Sequence, residues 1–364
     1  MIAPPATIVD SRKRRRRLVG FVIHKREIGR VHFLRMPWLH RIFTALTYAC
    51  SMAPVFTRIL LAYDDSAASH LALEYACALT RNGTSLVIAH AVNEGSVVAS
   101  AAMGGGFAAI DPTPIIDAYN VQGAAVLRAG VDACTAHGVS AEHVFLHDSA
   151  APSLVALARE KRADLIVLGT HGRHGLSRAI LGSVAEDILR SRDVPVLILT
   201  EHARPPSSDR LFARALVALD ESDPAQTARA VAARLSRDLG THLVFCNVLD
   251  SHELLERAAT YGYDAFSLES DMHAASLRFL GSAASASGSE TVVDDLIVVE
   301  GDPATAIERT AIEQGCDLII MGSHGRRGFA RLFLGSVAEA VMRHSALPVL
   351  VTPHDGDGVT GATS

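Results

Sequence analysis

A glycine-rich loop with the same spacing occurs twice in this chain of 364 residues. In each copy a glycine is followed after two residues by a second glycine, and after nine more by a Gly-Ser pair: Gly169, Gly172, Gly182 and Ser183, then Gly322, Gly325, Gly335 and Ser336. An apolar run precedes each loop and a stretch of helical periodicity follows it, which predicts strand, loop and helix start. In that layout backbone N–H groups face an anion, usually a phosphate. The chain is therefore predicted to contain two phosphate-binding loops.

Each glycine has a predicted role in the first loop. Gly169 and Gly172 let the chain turn sharply and lie close to a ligand, because they have no Cβ. Gly182 is predicted to start a helix whose first N–H groups lack partners, and Ser183 adds a hydroxyl donor. The alternative is an ordinary turn in which Ser183 only caps the helix. The identical spacing of the two copies favours phosphate binding.

Acidic residues follow the first predicted strand of each half. Asp64 and Asp220 are candidates to accept a hydrogen bond from an adenine amino group or a ribose hydroxyl. The alternative is a carboxylate that caps a helix or closes a turn. The next residues, Asp65 and Glu221, are either ligands for a divalent ion near phosphates or solvated surface acids.

Basic residues inside the loops offer little catalytic chemistry. For His171 and His324 we expect a loop-stabilising hydrogen bond rather than a role as general base, because no nucleophile or partner carboxylate lies near them in sequence. Several arginines either touch phosphates or face water: Arg173, Arg178, Arg326, Arg327 and Arg331. The P-loop lysine motif, the Rossmann glycine motif and common hydrolase motifs are all absent from the sequence.

Apolar runs alternate with helical patterns, for example helices predicted over Ser69–Arg81 and Pro224–Leu239. This alternation predicts two tandem α/β domains, each a doubly wound five-stranded parallel sheet. In such sheets ligands bind beyond the carboxyl ends of the strands, so the acidic turn and the glycine loop are expected to flank one crevice.

The predicted organisation is a basic extension (1–53), a first domain (54–200), a linker (201–210), a second domain (211–353) and a flexible tail (354–364). The extension holds eleven Lys or Arg residues and two acidic residues. It is open to interpretation as a nucleic-acid or anionic-surface segment, a transit peptide, a short signal-like segment, a disordered extension, or sequence upstream of a start at Met52. Because Met52 leads directly into the first strand, we favour the last two.

Composition excludes several classes of protein. Outside the extension the net charge is -14, which argues against nucleic-acid binding. No apolar run reaches the roughly 18 residues that a membrane-spanning helix needs, so we expect no membrane partner. The five cysteines are scattered and odd in number, which indicates reduced thiols and a cytoplasmic protein without a zinc site.

With the motif Asp-Leu-Ile-Val-Leu-Gly-Thr-His-Gly (164–172) and its second copy, the chain resembles the ATP-binding branch of the universal stress protein family in its tandem form. Glu300-Gly-Asp-Pro303 matches another family element, whereas Asp148-Ser-Ala-Ala-Pro152 departs from it. The resemblance implies a fold like the adenine nucleotide alpha hydrolases, two domains that pair through their last strands, and ATP as the ligand, with or without Mg²⁺.

The resemblance also implies which residues contact the nucleotide. Asp64 and Asp220 would contact the adenosine, as would backbone groups near Ala91 and Val248. The ribose and phosphates would contact Gly169, Gly172, Gly182, Ser183 and Val184 in the first domain, and Gly322, Gly325, Gly335, Ser336 and Val337 in the second. No catalytic residue and no protein metal ligand is implied.

Three functions follow from these expectations. The first is an ATP-binding stress-response sensor or regulator that is not an enzyme. The alternatives are a slow ATP hydrolase or phosphotransfer enzyme, and a nucleotide-free dimerisation module. A homodimer of the whole chain is a further possibility.

Overall fold

The computed structural model describes residues 54–353 apart from 82, 97, 100–110, 171–181, 192–193, 207–209, 251–259, 261–264 and 325–333. The predicted extension and tail, residues 1–53 and 354–364, lie outside the described residues, as does Cys50. None of the described helices is long and apolar enough to cross a membrane.

Strands and helices alternate through both halves of the chain. The first domain contains β1 (Arg58–Ala62), α1 (Ala67–Leu79), β2 (Ser85–Ala91), α2 (Thr113–Ala136), β3 (Ala141–Leu146), α3 (Ala150–Lys161), β4 (Leu165–Gly169), α4 (Ser183–Ser191) and β5 (Val196–Leu199). The second domain contains β6 (Arg214–Ala218), α5 (Asp223–Leu239), β7 (His242–Asp250), α6 (Ala265–Ala286), β8 (Val293–Gly301), α7 (Pro303–Glu313), β9 (Leu318–Gly322), α8 (Ser336–His344) and β10 (Val349–Thr352).

All ten strands form one sheet in the order β3-β2-β1-β4-β5-β10-β9-β6-β7-β8. Within each domain neighbouring strands are parallel, and the two halves meet where β5 and β10 pair antiparallel. At that junction Leu197 lies opposite Leu350. The predicted α/β fold and the pairing of the domains through their last strands are confirmed.

Buried side chains form two clusters, one on each face of the sheet. Strand residues alternate between them: Ile59 and Leu61 join the cluster that includes α1, α2 and α5, whereas Leu60 joins the cluster that includes α3, α4, α7 and α8. Because both clusters contain residues of both domains, the hydrophobic cores continue across the junction.

In each domain one phenylalanine precedes the first strand and packs on the first helix of the other domain. Phe212, which precedes β6, stacks on Tyr75 of α1 with ring centroids 5.7 Å apart. Phe56, which precedes β1, lies 5.9 Å from the guanidinium of Arg234 in α5. Both phenylalanines are buried, so each domain completes part of the other's core.

Backbone contacts also hold the connection between the domains. The Tyr75 hydroxyl donates to the Arg204 carbonyl at 2.9 Å. Ala203 and Leu211 are buried in the core on the α1 face. Ala203 and Arg204 of the predicted linker, and Leu211 just after it, are therefore packed on the core that contains α1.

Candidate functional site

The two strand ends predicted to flank a crevice are neighbours in both domains. β1 pairs with β4, so Asp64 lies just beyond the end of one strand and Gly169 ends the next. β6 pairs with β9, which places Asp220 and Gly322 in the same relation.

The carboxylates of Asp64 and Asp220 both close a turn. Asp64 Oδ1 accepts hydrogen bonds from Ser66 N at 3.1 Å and Ser66 Oγ at 2.6 Å. Asp220 Oδ1 accepts from the amide of Ser222 at 3.1 Å and from its hydroxyl. The turn predicted as the alternative role is therefore present. A contact with adenosine stays a prediction.

The serine two residues later is the helix N-cap in each domain. Ser66 Oγ accepts from Ser69 N at 3.2 Å, and Ser222 Oγ accepts from Ala225 N at 3.4 Å. A side chain therefore already satisfies an amide at the start of α1 and of α5.

The first loop glycines have a packing role that the sequence analysis missed. A Cβ on Gly169 would lie 2.6 Å from Ala68 Cβ and 2.8 Å from the Ala68 carbonyl carbon. A Cβ on Gly322 would lie 2.6 Å from Pro224 Cβ and 2.9 Å from its carbonyl carbon. Distances this short occur in essentially no folded protein, so only glycine allows the first helix to approach the end of the fourth strand.

The ends of each glycine loop are joined by backbone hydrogen bonds. Gly182 N donates to Thr170 O at 2.8 Å, and Gly335 N donates to Ser323 O at 2.9 Å. The helix starts at Ser183, one residue after the predicted start at Gly182, and the Gly182 amide closes the loop.

The amides after these glycines remain without partners inside their helices. The first intrahelical bonds are Glu186 N to Gly182 O at 3.0 Å and Glu339 N to Gly335 O at 2.9 Å. The three residues before each glutamate therefore point their N–H groups out of the helix end: Ser183, Val184 and Ala185, and Ser336, Val337 and Ala338. In the second domain the N-cap is Gly335, which makes no side-chain cap bond.

His324 forms the loop hydrogen bond predicted for it. Its Nδ1 lies 2.8 Å from Ser323 Oγ, and its carbonyl accepts from Ser222 Oγ at 3.3 Å. These contacts connect the start of the second glycine loop to the acidic turn after β6. Other residues predicted to act in the loops lie outside the described residues: Gly172, Gly325, His171, Arg173, Arg178, Arg326, Arg327 and Arg331.

Ala91 and Val248 occupy equivalent places on the second strand of each domain, opposite Leu146 and Val299. The residue before Ala91 and the residue before Val248 each make a side-chain hydrogen bond to the backbone at the end of the first strand of their domain. His90 Nδ1 lies 2.8 Å from the Tyr63 carbonyl, and Asn247 Nδ2 donates to the Leu219 carbonyl at 2.7 Å. Neither hydrogen bond was predicted from the sequence. Their only signal was a polar residue late in an apolar run.

Comparison with known proteins agrees with this architecture. Residues 56–200 and 212–353 both match the universal stress protein family. The chain belongs to the universal stress protein family. Its family assignment therefore rests on two matches in tandem, one in each half of the chain.

Relatives in the universal stress protein family cover different shares of the chain. The universal stress protein Rv2005c of Mycobacterium tuberculosis is 29% identical over 214 residues, 58% of this chain and 68% of that protein. The universal stress protein MJ0577 of Methanocaldococcus jannaschii is 49% identical over 59 residues, 16% of this chain and 36% of that protein.

Solved structures support the family fold. A universal stress protein from Archaeoglobus fulgidus superposes with a TM-score of 0.60 at 24% identity, covering 84% of this chain and 98% of that one. A functionally unknown protein, PA1789 of Pseudomonas aeruginosa, superposes with a TM-score of 0.52 at 18% identity, covering 82% of this chain and 94% of that one. At these identities the likeness concerns the fold alone.

The aspartate that opens the family-like motif has a structural role in both domains. Asp164 accepts from Thr57 N at 2.7 Å, Thr57 Oγ1 at 2.8 Å and Arg58 N at 3.0 Å. Asp317 accepts from the amides of Ala213 and Arg214 at 2.7 and 3.0 Å. Burial raises the pKa of Asp317 above its ordinary value, although these two amides oppose the shift. Each aspartate holds the start of the strand that leads to the acidic turn.

Proposed function

We propose that each domain binds one ATP and that the chain is a nucleotide-dependent regulator or sensor in the stress response. The observation that carries this proposal is the uncapped start of α8, where Gly335 supplies no side chain to the first amides. Those amides and the helix dipole favour an anion, and the loop closed by Gly335 N and Ser323 O places them beyond the end of β9.

The two ends of the nucleotide would be held by different elements. The glycine loops and the starts of α4 and α8 fit the phosphates, because backbone donors dominate there. The turn carboxylates of Asp64 and Asp220 and the backbone near Ala91 and Val248 are on neighbouring strands, where the adenosine would lie. Mg²⁺, if it accompanies ATP, would be held mainly by the phosphates, since the described residues contain no cluster of His, Cys, Asp or Glu suited to a metal.

We further propose that ATP is bound without turnover. The sequence has no P-loop lysine, and the imidazole of His324 is already engaged with Ser323. Slow hydrolysis or phosphotransfer is the competing outcome. A single-turnover assay distinguishes them: ATP that remains intact for hours on the protein supports binding, whereas turnover near 1 s⁻¹ rejects it.

The nucleotide content of freshly purified chain tests the proposal directly, with two ATP per chain as the expected result. The combined variant Gly182→Glu and Gly335→Glu should lose binding, because each carboxylate would repel the phosphates. Gly335 has φ −66°, a value that any residue adopts, so the fold should persist.

The matched control is Gly182→Gln with Gly335→Gln, which adds the same bulk without charge. Affinity retained by the Glu variant would remove the phosphate assignment. Loss of binding accompanied by loss of the unfolding transition would mean that the variant no longer folds.

We also propose a cytoplasmic location and an assembly in which the family-like pairing occurs within one chain. Cys77, Cys134, Cys246 and Cys316 are free and buried, which suits a reducing compartment. Because β5 already pairs with β10, a homodimer would have to use another surface.

A further inference from the structure

The residue after each turn aspartate carries a second negative charge beside the candidate phosphate site. It is Asp65 in the first domain and Glu221 in the second. A second carboxylate weakens the binding of a polyphosphate unless it is turned away or neutralised. The two domains differ in how this charge is arranged.

In the first domain Tyr63 and His70 hold the Asp65 carboxylate. The Tyr63 hydroxyl donates to Asp65 Oδ1 at 3.2 Å, and His70 Nε2 lies 3.1 Å from the same oxygen. The Tyr63 hydroxyl also lies 3.2 Å from His70 Nδ1, and the two rings pack edge to face with centroids 5.4 Å apart. The three side chains therefore contact one another, and this cluster is here called the Asp65 clasp.

The backbone of Asp65 adopts an uncommon conformation in this cluster. Its φ is +65°, in the left-handed region that disfavours residues with a Cβ. Backbone strain of this kind persists only where surrounding contacts hold it, and the clasp supplies such contacts.

The clasp lies on the opposite side of the sheet from α4, whose first amides are among the proposed phosphate donors. The ring of Tyr63 belongs to the core on the α1 and α2 face. The buried residues of α4, Ala185 and Ile188, belong to the core on the other face. The Asp65 Oδ1 is thus bonded to groups across the sheet from the helix that begins at Ser183.

The second domain has no equivalent cluster at these positions. Leu219 and Gln226 stand where the first domain has Tyr63 and His70, counted from the matching turn aspartates. Leucine has no hydroxyl and glutamine has no imidazole ring. Glu221 is also not among the described residues with positive φ.

The geometry points to Tyr63 and His70 as positioning residues that hold the Asp65 charge away from the nucleotide and so set the affinity of the first site. This inference rests on the proposed function, because it concerns the ATP site of the first domain. Both residues contact Asp65, and the inference needs no contact between them and the ligand.

The test measures ATP affinity of the first site alone, in the full chain with Gly335→Glu disabling the second. In that background His70→Gln introduces the residue type of Gln226 in the second domain. It should weaken ATP binding about fivefold, because the partly exposed Asp65 carboxylate is no longer held by His70. Tyr63→Phe should weaken it in the same direction by a smaller factor.

Removing the charge should rescue binding. His70→Gln combined with Asp65→Asn should bind as tightly as the parent, because asparagine tolerates the left-handed backbone and has no charge. The control is Gln226→His in a Gly182→Glu background, which should leave the second site unchanged because Leu219 and the backbone of Glu221 cannot complete a clasp.

Each outcome decides between explanations. Unchanged affinity in His70→Gln overturns the inference, and failure of Asp65→Asn to rescue shows a purely structural role and overturns it as well. A Gly335→Glu chain that binds no ATP, while the unaltered chain binds one, also overturns it and limits the proposed function to a single ATP in the second domain. An unaltered chain that binds no ATP would reject the proposed function itself.

Discussion

The two domains share the backbone features around the candidate site and differ in the side chains beside it. Both have the turn aspartate, the serine cap, the glycine packed against the first helix and the loop closed by a 2.8–2.9 Å bond. Only the first has the Asp65 clasp. Only the second has an aspartate cap, Asp302, at the start of its third helix. The backbone contacts at the two ends of the loop are therefore the same in both domains, while the charged side chains around them differ.

The largest expected effect concerns the core that the two domains share. Phe56→Ala and Phe212→Ala should each destabilise the chain by about 3–5 kcal/mol, because both side chains are buried across the domain junction. Chemical denaturation should show one transition that shifts as a whole. Two separate transitions, with only one displaced, would show that the domains fold independently.

A smaller effect is expected at the packing glycines. Gly169→Ala and Gly322→Ala should each cost about 1–3 kcal/mol, since the added Cβ would lie 2.6 Å from the first helix in both domains. Gly281→Ala in α6 is the control, because its Cβ would meet nothing within 4 Å and alanine favours the helix by about 1 kcal/mol. Equal losses measured by denaturation would show that this glycine contributes the same packing energy in both domains. A loss in one domain only would show that the shared geometry does not carry the same energy.

The smallest expected effect on stability concerns the N-caps of the third helices, which differ between the two domains. Asp302 Oδ1 accepts from Thr305 N at 3.0 Å, whereas the Ser149 side chain makes no cap bond at the start of α3. Asp302→Ala should therefore cost about 1 kcal/mol at pH 7, and Ser149→Ala less than about 0.5 kcal/mol.

The Asp302 effect should depend on pH. The bond from the Thr305 amide, followed by that from its hydroxyl, lowers the pKa of Asp302. A lowered folded-state pKa stabilises the fold above the unfolded pKa, which is about 4 for aspartate, and this contribution is lost as the pH falls through the folded value. Unfolding curves of the variant and parent chains should therefore converge below about pH 4. If the free energies of unfolding of the parent chain and the Asp302→Ala variant differ by the same amount down to about pH 2, a charged cap is ruled out.

The local sequence pattern predicted the position of most helices and strands around the site. The helix predicted over Pro224–Leu239 is observed at Asp223–Leu239, because its start is set by a nearby serine cap and its end by Gly240 in a left-handed conformation. The helix predicted over Ser69–Arg81 begins earlier, at Ala67, because Ser66 is the cap and Ser69 lies inside the first turn.

The contacts that the sequence did not reveal join residues far apart in the chain. Asp164 accepts a hydrogen bond from Thr57, which lies 107 residues earlier in the chain. Gly169 packs closely against Ala68 because it has no Cβ. Neither partner shows any sign of the other in the local pattern. The same is true of Phe212 on Tyr75.

The sequence by itself determined the duplication, the α/β fold and the adjacency of the acidic turn and the glycine loop, because these follow from short-range periodicity and from the rule that parallel strands end together. Tertiary structure alone decided that the first glycine packs against a helix, that the Gly182 amide closes the loop, and that Asp65 is held by Tyr63 and His70. Those outcomes depend on where side chains and amides meet in space, which short-range periodicity does not encode.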